Sequence, residues 1–182
     1  DALHGFTISH IDSLDEYHGR GIRLRHDRTG LELYHLHNDD RENLFAFAFK
    51  TPPSDDTGVA HILEHTVLSG SRKYPVKDPF LALMRGSVNT FLNAMTYPDK
   101  TVYPASSTVK KDYYNIMAVY ADAVFFPLLK KELFLQEGRR FVPQEDGSLK
   151  VEGIVFNEMK GSFSSFDSIV GDWSYRSLFD KA

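Results

Sequence analysis

Two histidines and a glutamate lie close enough in the sequence to serve one metal ion. His61 and His65 are four residues apart, and Glu64 directly precedes the second histidine. On an α-helix, residues i and i+4 share one face, so both imidazoles could bind the same ion from one side. Glu64 would point into the same space, where a carboxylate can act as a general base. The pattern is the inverted form of a zinc-peptidase signature, although a solvent-exposed helix with two hydrated histidines remains an alternative.

A catalytic zinc site needs a third protein ligand and a position for water. The chain has no cysteine, so we expect this ligand to be a carboxylate from elsewhere in the chain. The later glutamates are Glu132, Glu137, Glu145, Glu152 and Glu158. Glu158 is favoured because its small neighbours Gly161, Ser162 and Ser165 would let its carboxylate approach a metal. An ordinary exposed helix glutamate is the alternative.

The elements that must position these residues are predicted from hydrophobic periodicity and turn residues. Strands are predicted at residues 20–26, 31–37, 43–50, 88–96 and 101–107, and helices at about 59–68, 78–85, 108–126, 153–166 and 168–180. Residues 1–18 are weakly patterned, and no element is predicted between residues 127 and 152. Because strands and helices occur in groups, the pattern favours an α+β fold in which an antiparallel or mixed sheet packs against helices.

Side-chain periodicity also predicts which faces are buried. In the first helix, the side that should pack on the sheet carries Val59, Ile62, Leu63, Thr66 and Val67, and the side that should face a cleft carries His61, Glu64, His65 and Leu68. In the long helix, the apolar positions are Tyr113, Ile116, Met117, Tyr120 and Val124. The alternation of phenylalanines with small and apolar residues over 43–50 is typical of a strand near the centre of a sheet.

Composition limits the classes of function. A length of 182 residues favours a single domain, and 42% hydrophobic residues are enough for a normal core. The net charge of −4 argues against nucleic acid as a partner. No apolar run approaches the roughly 20 residues of a membrane span. No signal-peptide pattern follows Asp1, so we expect the chain to start at a processed or artificial end and to be part of a longer protein.

Four segments carry a family likeness. They are TPPSDDTGVAHILEH at 51–65, SGSRKYPVKDPF at 69–80, NTFLNAMTYPDK at 89–100 and GIVFNEMKG at 153–161. In order and spacing the chain resembles the pitrilysin/insulinase family of inverted zinc peptidases, and specifically its presequence-protease branch. The likeness covers nearly the whole chain and is weakest over residues 1–20.

This resemblance implies a zinc-dependent metalloendopeptidase that degrades short unfolded peptides such as targeting peptides. It implies that Zn²⁺ is held by His61, His65 and Glu158, with Glu64 as the catalytic general base. The family binds its substrate as an added strand, which by motif match lies along the stretch beginning at Asn89, Thr90 and Phe91, with Asn93 nearby. An ordinary interior strand is the alternative for this stretch, since edge position cannot be read from sequence.

Two departures from the family pattern affect these expectations. Many members carry a second acidic residue seven positions before the glutamate that binds the metal, but here that position is Val151. The acid nearest to it is Glu152, which we therefore assign as an outer group that supports a metal ligand without binding the metal itself. Members contain four domains in two halves. Residues 1–182 therefore resemble one N-terminal catalytic domain, still incomplete, and the partners would be an unfolded peptide and the remaining domains. We expect the isolated chain to bind zinc but to be weakly active.

Other functions remain open at this point. Some relatives have lost their metal residues and serve as non-catalytic peptide-binding or scaffolding domains, and a zinc hydrolase acting on other substrates is a further alternative. By resemblance, the compartment would be the bacterial cytoplasm or the matrix of a mitochondrion or plastid.

Overall fold

The structure, a computed structural model, describes residues 3–179 of the chain. The chain forms two compact units, Asp1–Arg41 and Glu42–Ala182. Each unit has its own antiparallel sheet, so each is described by itself. That residues 1–182 constitute one catalytic domain stays a prediction.

The first unit is a three-stranded antiparallel sheet in the order β1–β2–β3. Its strands are β1 (Phe6–Leu14), β2 (Gly19–His26) and β3 (Glu32–His37), and a short 3₁₀ turn over Asp15–Tyr17 joins the first two. The predicted strands 20–26 and 31–37 are confirmed as β2 and β3. No strand was predicted where β1 lies, because a register shift between Ile8 and His10 moves the next apolar residue to Ile11 and breaks the alternation of apolar and polar residues.

The second unit contains a four-stranded antiparallel sheet with β7 at its centre. Its strands are β4 (Asn43–Lys50), β5 (Phe91–Leu92), β6 (Met95–Thr96) and β7 (Lys100–Ser107). The predicted strand 88–96 is thus shorter than expected and divided in two. The division falls at Asn93 and Ala94, where the Asn93 N–H still donates to the Pro104 carbonyl of β7 while the Ala94 N–H donates to the Asn93 side-chain oxygen.

The central position predicted for residues 43–50 is wrong. Among the described strands, β4 pairs with β7 alone and lies at an edge of the sheet. One face of β4 carries Phe45, Phe47 and Phe49 toward the core, whereas the other face is exposed, with Leu44 at 60%. Apolar residues on both faces suggested a strand covered on both sides, but only one face is covered here.

Six helices and a hairpin complete the described part of this unit. The helices are α1 (Val59–Val67), α2 (Pro79–Gly86), α3 (Lys110–Phe125), α4 (Lys131–Glu137), α5 (Ile154–Ser162) and α6 (Phe166–Leu178), and the hairpin joins β8 (Arg140–Pro143) to β9 (Leu149–Glu152). All five predicted helices are found, but α4, β8 and β9 were not predicted. The predicted end of the last helix, residue 180, lies outside the described residues.

The core of the second unit lies between the sheet and α3. Ile116 and Tyr120 are fully buried and pack with Phe45, Tyr103 and other core residues. The Phe45 and Tyr120 rings meet edge to face at 5.6 Å between centroids, a favoured aromatic geometry. All five predicted apolar positions of the long helix are buried or pack against this core. The α+β class, an antiparallel sheet packed against helices, is therefore confirmed. No helix in the described part of the chain has the length and apolar character needed to cross a membrane.

Candidate metal centre

The helix that carries both histidines starts from a tight turn. The Asp55 carboxylate accepts hydrogen bonds from the side chain and the backbone N–H of Thr57, and these bonds lower the pKa of Asp55. Gly58 follows with φ +72°, a left-handed conformation that a residue without a Cβ adopts at little cost. The chain then enters α1 at Val59, which sets the phase of the helix and so the direction of His61 and His65.

The structure brings both histidines and Glu158 together. The His61 and His65 rings lie 5.1 Å apart between centroids. Glu158 lies across from them on α5, with one carboxylate oxygen 3.7 Å from His61 Nε2 and the other 3.6 Å from His65 Nε2. One potential ligand atom from each residue falls within 4.8 Å of the other two. Among residues 3–179 this is the one group of three or more metal-ligating side chains so placed.

Two glycines allow the elements of the site to approach closely. A Cβ built on Gly153, just before α5, would lie 1.8 Å from the carbonyl oxygen of Gly138, just after α4. A Cβ on Gly138 would lie 2.9 Å from the Phe134 carbonyl oxygen and 3.2 Å from the side chain of Ile62 in α1. Since no side chain fits at either position, α1, α4 and the start of α5 pack directly on one another. This contact sets the separation between the histidines and Glu158.

The donor set and its charges fit a zinc ion. Separations of 3.6 and 3.7 Å are too long for hydrogen bonds but close to the ~3.4 Å between two ligands on a tetrahedral zinc with bonds of about 2.1 Å. Two imidazole nitrogens and one carboxylate are also the ligand types of catalytic zinc sites. Glu64, Glu137 and Glu158 converge here, and within the described residues none of them forms an ion pair with a lysine or arginine. The site therefore carries negative charge that a cation would offset.

Glu64 lies next to the histidines on the buried side of α1. It is only 7% exposed, and its carboxylate accepts a hydrogen bond from the Thr96 hydroxyl at 2.7 Å. Burial and the nearby charge of Glu64 raise the pKa of Tyr103 on β7. The predicted division of the helix is therefore partly wrong. Val59 and Leu63 are exposed, whereas Glu64 faces the sheet, because the side of α1 that packs on β6 and β7 includes the carboxylate.

Glu152 was predicted as an outer group that supports a metal ligand, and this role stays a prediction. Glu152 lies on β9, where its carboxylate pairs with Arg140 at 3.2 Å and with Lys150 at 3.0 Å, and a hydrogen bond from Lys150 is the main cause of its lowered pKa. An acid that does contact the His65 ring is Glu137, whose Oε2 lies 3.1 Å from His65 Nδ1. Sequence spacing could not select Glu137, because it lies 72 residues from His65 at the end of an unpredicted helix.

The four residues predicted to contact a peptide lie at or next to a sheet edge. Strands β5 and β6 each pair with β7, on the side opposite β4, and no further strand among the described residues pairs with them. Thr90 and Phe91 are exposed, and Asn89 and Asn93 are half-buried. Asn93 also serves the core, since its backbone carbonyl accepts a hydrogen bond from Tyr120. The edge position is what strand addition requires, and a substrate role for these residues remains a prediction.

This α+β domain carries two histidines on one helix, with Glu158 facing them and the buried Glu64 between them in the sequence. Such an arrangement defines a metallohydrolase type of site. The model of the insulinase family, peptidase family M16, matches residues 51–146, a little over half of the chain. The chain therefore belongs to this family. The matched range contains His61, Glu64, His65 and Glu137, whereas Glu158 lies beyond it.

Individual proteins are also similar to this chain. The chain is 55% identical over 169 residues to an uncharacterised protein of Borreliella burgdorferi, covering 92% of this chain and 17% of that protein. It is 48% identical over 179 residues to presequence protease 1, chloroplastic/mitochondrial, of Arabidopsis thaliana, covering 96% of this chain and 16% of the relative. The crystal structure of pitrilysin is similar with a TM-score of 0.61 and 25% identity, over 70% of this chain and 14% of that one. The chain thus spans about one sixth of the length of these relatives.

Proposed function

We propose that this chain is the metal-binding part of a zinc-dependent endopeptidase that hydrolyses short unfolded peptides. The observation that carries the proposal is the convergence of His61, His65 and Glu158 within 4.8 Å, beside the buried carboxylate of Glu64. Similarity to presequence proteases supports peptides, such as targeting peptides, as the class of substrate.

Each side chain has a role in this proposal. His61 and His65, through Nε2, and Glu158, through its carboxylate, would hold the zinc ion. When bound, zinc supplies Lewis-acid chemistry that acidifies water and polarises a carbonyl. Glu64 would accept the proton of the attacking water and return it to the leaving amine. The hydroxyl of Thr96, 2.7 Å from Glu64, would keep that carboxylate oriented.

The sheet edge formed by β5 and β6 explains why peptides are the proposed substrates. Thr96, which contacts Glu64, is the last residue of β6, so the edge formed by β5 and β6 ends at the proposed general base. A peptide added to this edge in extended form would gain main-chain hydrogen bonds regardless of its sequence. Such binding requires an unfolded substrate, because the backbone of a folded protein is already paired.

The remaining domains of the relatives belong to the proposal as partners. The chain covers 14% to 17% of the relatives described above, so the other domains would complete the binding cleft and the stabilisation of the reacting carbonyl. We therefore expect this chain alone to bind zinc but to cleave peptides slowly. The matrix of an organelle or the bacterial cytoplasm is the proposed compartment, in line with mitochondrial, chloroplastic and bacterial relatives.

Metal content tests the proposal. We expect the chain purified without added zinc to contain close to one zinc per molecule, and His61→Ala, His65→Ala and Glu158→Ala to lose it. His35→Ala, at an exposed histidine of β3, is the matched control and should retain zinc. Glu64→Gln should also retain zinc and abolish the residual cleavage of a fluorogenic peptide.

Other outcomes would contradict the proposal in distinct ways. An unaltered chain that binds no zinc would favour a non-catalytic peptide-binding or scaffolding domain. Cleavage that persists in Glu64→Gln would remove Glu64 from the role of general base. Turnover by this chain as fast as that of a full-length relative would show that the other domains are not needed.

A further inference from the structure

We infer that Glu137 is a positioning residue that fixes the tautomer and the ring orientation of His65. The inference rests on the proposed zinc site and adds to it a group that binds no metal itself. Glu137 lies at the end of α4, and His65 is the second histidine of α1.

The contacts of Glu137 define its direction. Its Oε2 lies 3.1 Å from His65 Nδ1, and its Oε1 accepts a hydrogen bond from the Gln136 side chain at 2.9 Å. A carboxylate oxygen accepts a hydrogen bond, so the proton of the neutral imidazole lies on Nδ1. The lone pair of His65 is then on Nε2, the nitrogen that faces Glu158 at 3.6 Å. Carboxylates commonly orient metal-binding histidines in this way.

Burial distinguishes Glu137 from an ordinary surface acid. Its side chain is only 8% exposed, and within residues 3–179 it forms no ion pair with lysine or arginine. A buried carboxylate without a compensating cation is costly. A purely structural position would be filled at lower cost by an apolar side chain, whereas a carboxylate is useful if the ring it contacts binds a cation.

The two histidines differ in the polar contacts that orient their rings. His65 is held by Glu137 at Nδ1 and faces Glu158 at Nε2, whereas the polar contact found for His61 in the described residues is the one with Glu158. His65 should therefore be oriented before the metal arrives, and His61 should depend on the metal for its orientation. Loss of Glu137 should disturb His65 selectively.

The test compares zinc affinity in four proteins. These are the unaltered chain, Glu137→Ala, Glu137→Gln and the control Glu132→Gln, which changes an exposed glutamate on the same helix. Competition with a chromophoric chelator should show zinc affinity reduced by about 10- to 100-fold in Glu137→Ala. The reduction should be smaller in Glu137→Gln, which keeps an acceptor oxygen, and the control should match the unaltered chain.

A second measurement reports the tautomer directly. Nitrogen-15 spectra of the metal-free chain, recorded at a pH at which the imidazoles are neutral, should show His65 protonated at Nδ1. The signals of His65 are identified as those that a His65→Gln sample lacks. Glu137→Ala should lose this preference while the His61 signals stay unchanged. If the Ala variant does not fold, Glu137→Leu, an apolar side chain of similar size that offers no acceptor oxygen, provides the comparison.

The outcomes separate this inference from the proposed function. If the unaltered chain binds no zinc, the proposed function fails. If the unaltered chain binds zinc and both folded Glu137 variants bind it equally well, the positioning role of Glu137 is overturned and the zinc site stands. An unchanged His65 tautomer in Glu137→Ala would overturn it as well.

Discussion

The ionisable side chains of the site are held by contacts with residues from other elements. Glu64 is held by Thr96, His65 by Glu137, and Glu158 faces both imidazoles. These partners come from β6, α4 and α5, which are distant from α1 in sequence. The chemistry at residue scale is therefore decided by contacts that bring separate elements together.

Thr96→Val should destabilise the fold without removing the metal. The valine has the shape of threonine but cannot donate to the buried Glu64 carboxylate, and leaving such a group unsatisfied costs about 1–3 kcal/mol. Chemical denaturation of the metal-free chain should show this loss, and Thr96→Ser should recover most of it. Zinc content should be unchanged.

A double substitution provides the control for this prediction. In a Glu64→Leu background no carboxylate needs a donor, so Thr96→Val should cost much less there. Equal losses in both backgrounds would mean that the hydroxyl does not support Glu64.

The elements of the site are α1, α4 and α5, and their close packing depends on glycine. Periodicity predicted α1, α3 and α5 because each is long enough to show a 3.6-residue pattern. It did not predict α4, which has seven residues, or the β8–β9 hairpin, whose short strands are mostly exposed. Glu137 was missed for this reason, whereas Glu158 was identified from its small neighbours and the family likeness.

Gly153→Ala should separate α5 from α4 and weaken the site. The added Cβ would overlap the carbonyl oxygen of Gly138, 1.8 Å away, and backbone atoms cannot move aside as the end of a flexible side chain can. We expect a loss of thermal stability together with at least a tenfold loss of zinc affinity.

Gly171→Ala is the matched control for this substitution. Gly171 lies within α6, where a Cβ would meet nothing within 4 Å, so the alanine should be neutral or slightly stabilising. Normal zinc binding by Gly153→Ala would show that the glycine contact does not set the position of Glu158.

At the scale of the whole molecule, a hydrogen bond to a buried carboxylate connects the segment after α1 to the end of α3. Asp122 is 5% exposed and accepts a hydrogen bond from the Lys73 backbone N–H at 2.7 Å. Nearby, Leu128 donates to the Gly70 carbonyl, and Ser71 forms a β-bridge with Pro127. Burial opposes ionisation of Asp122, but the hydrogen bonds and the charges of Lys73 and Arg72 outweigh it and lower the pKa of Asp122.

This lowered pKa predicts how stability depends on pH. A carboxyl whose pKa is lower in the folded than in the unfolded chain stabilises the fold above its unfolded pKa, about 3.9 for aspartate, and loses this contribution as the pH falls through the folded value. Asp122→Asn should therefore be less stable than the unaltered chain at pH 7. The difference should shrink below about pH 4.

Denaturation at a series of pH values checks this prediction. Asp146→Asn is the control, because Asp146 also has a lowered pKa, caused chiefly by hydrogen bonds from Ser148, but lies exposed in the hairpin turn. It should have a much smaller effect. A stability difference for Asp122→Asn that stays constant down to pH 2 would contradict the assignment.

The apolar surface also matters at this scale. In α6, Phe166, Trp173 and Leu178 are more than 70% exposed, and the chain spans only about one sixth of its relatives. Phe166 and Trp173 are seven residues apart and so share one face of α6, and an exposed apolar face fits the remaining domains, which are the proposed partners.

The sequence by itself determined the α+β class, the helix that places two imidazoles on one face, and the family. These follow from local periodicity and from motifs within single segments. Only the tertiary structure decided that Glu137 rather than Glu152 contacts a histidine, that Glu64 faces the sheet, and that the stretch after Asn89 is an edge. The physical reason is that these properties depend on which distant elements pack together, and close packing through Gly138 and Gly153 leaves no periodic signal in the sequence.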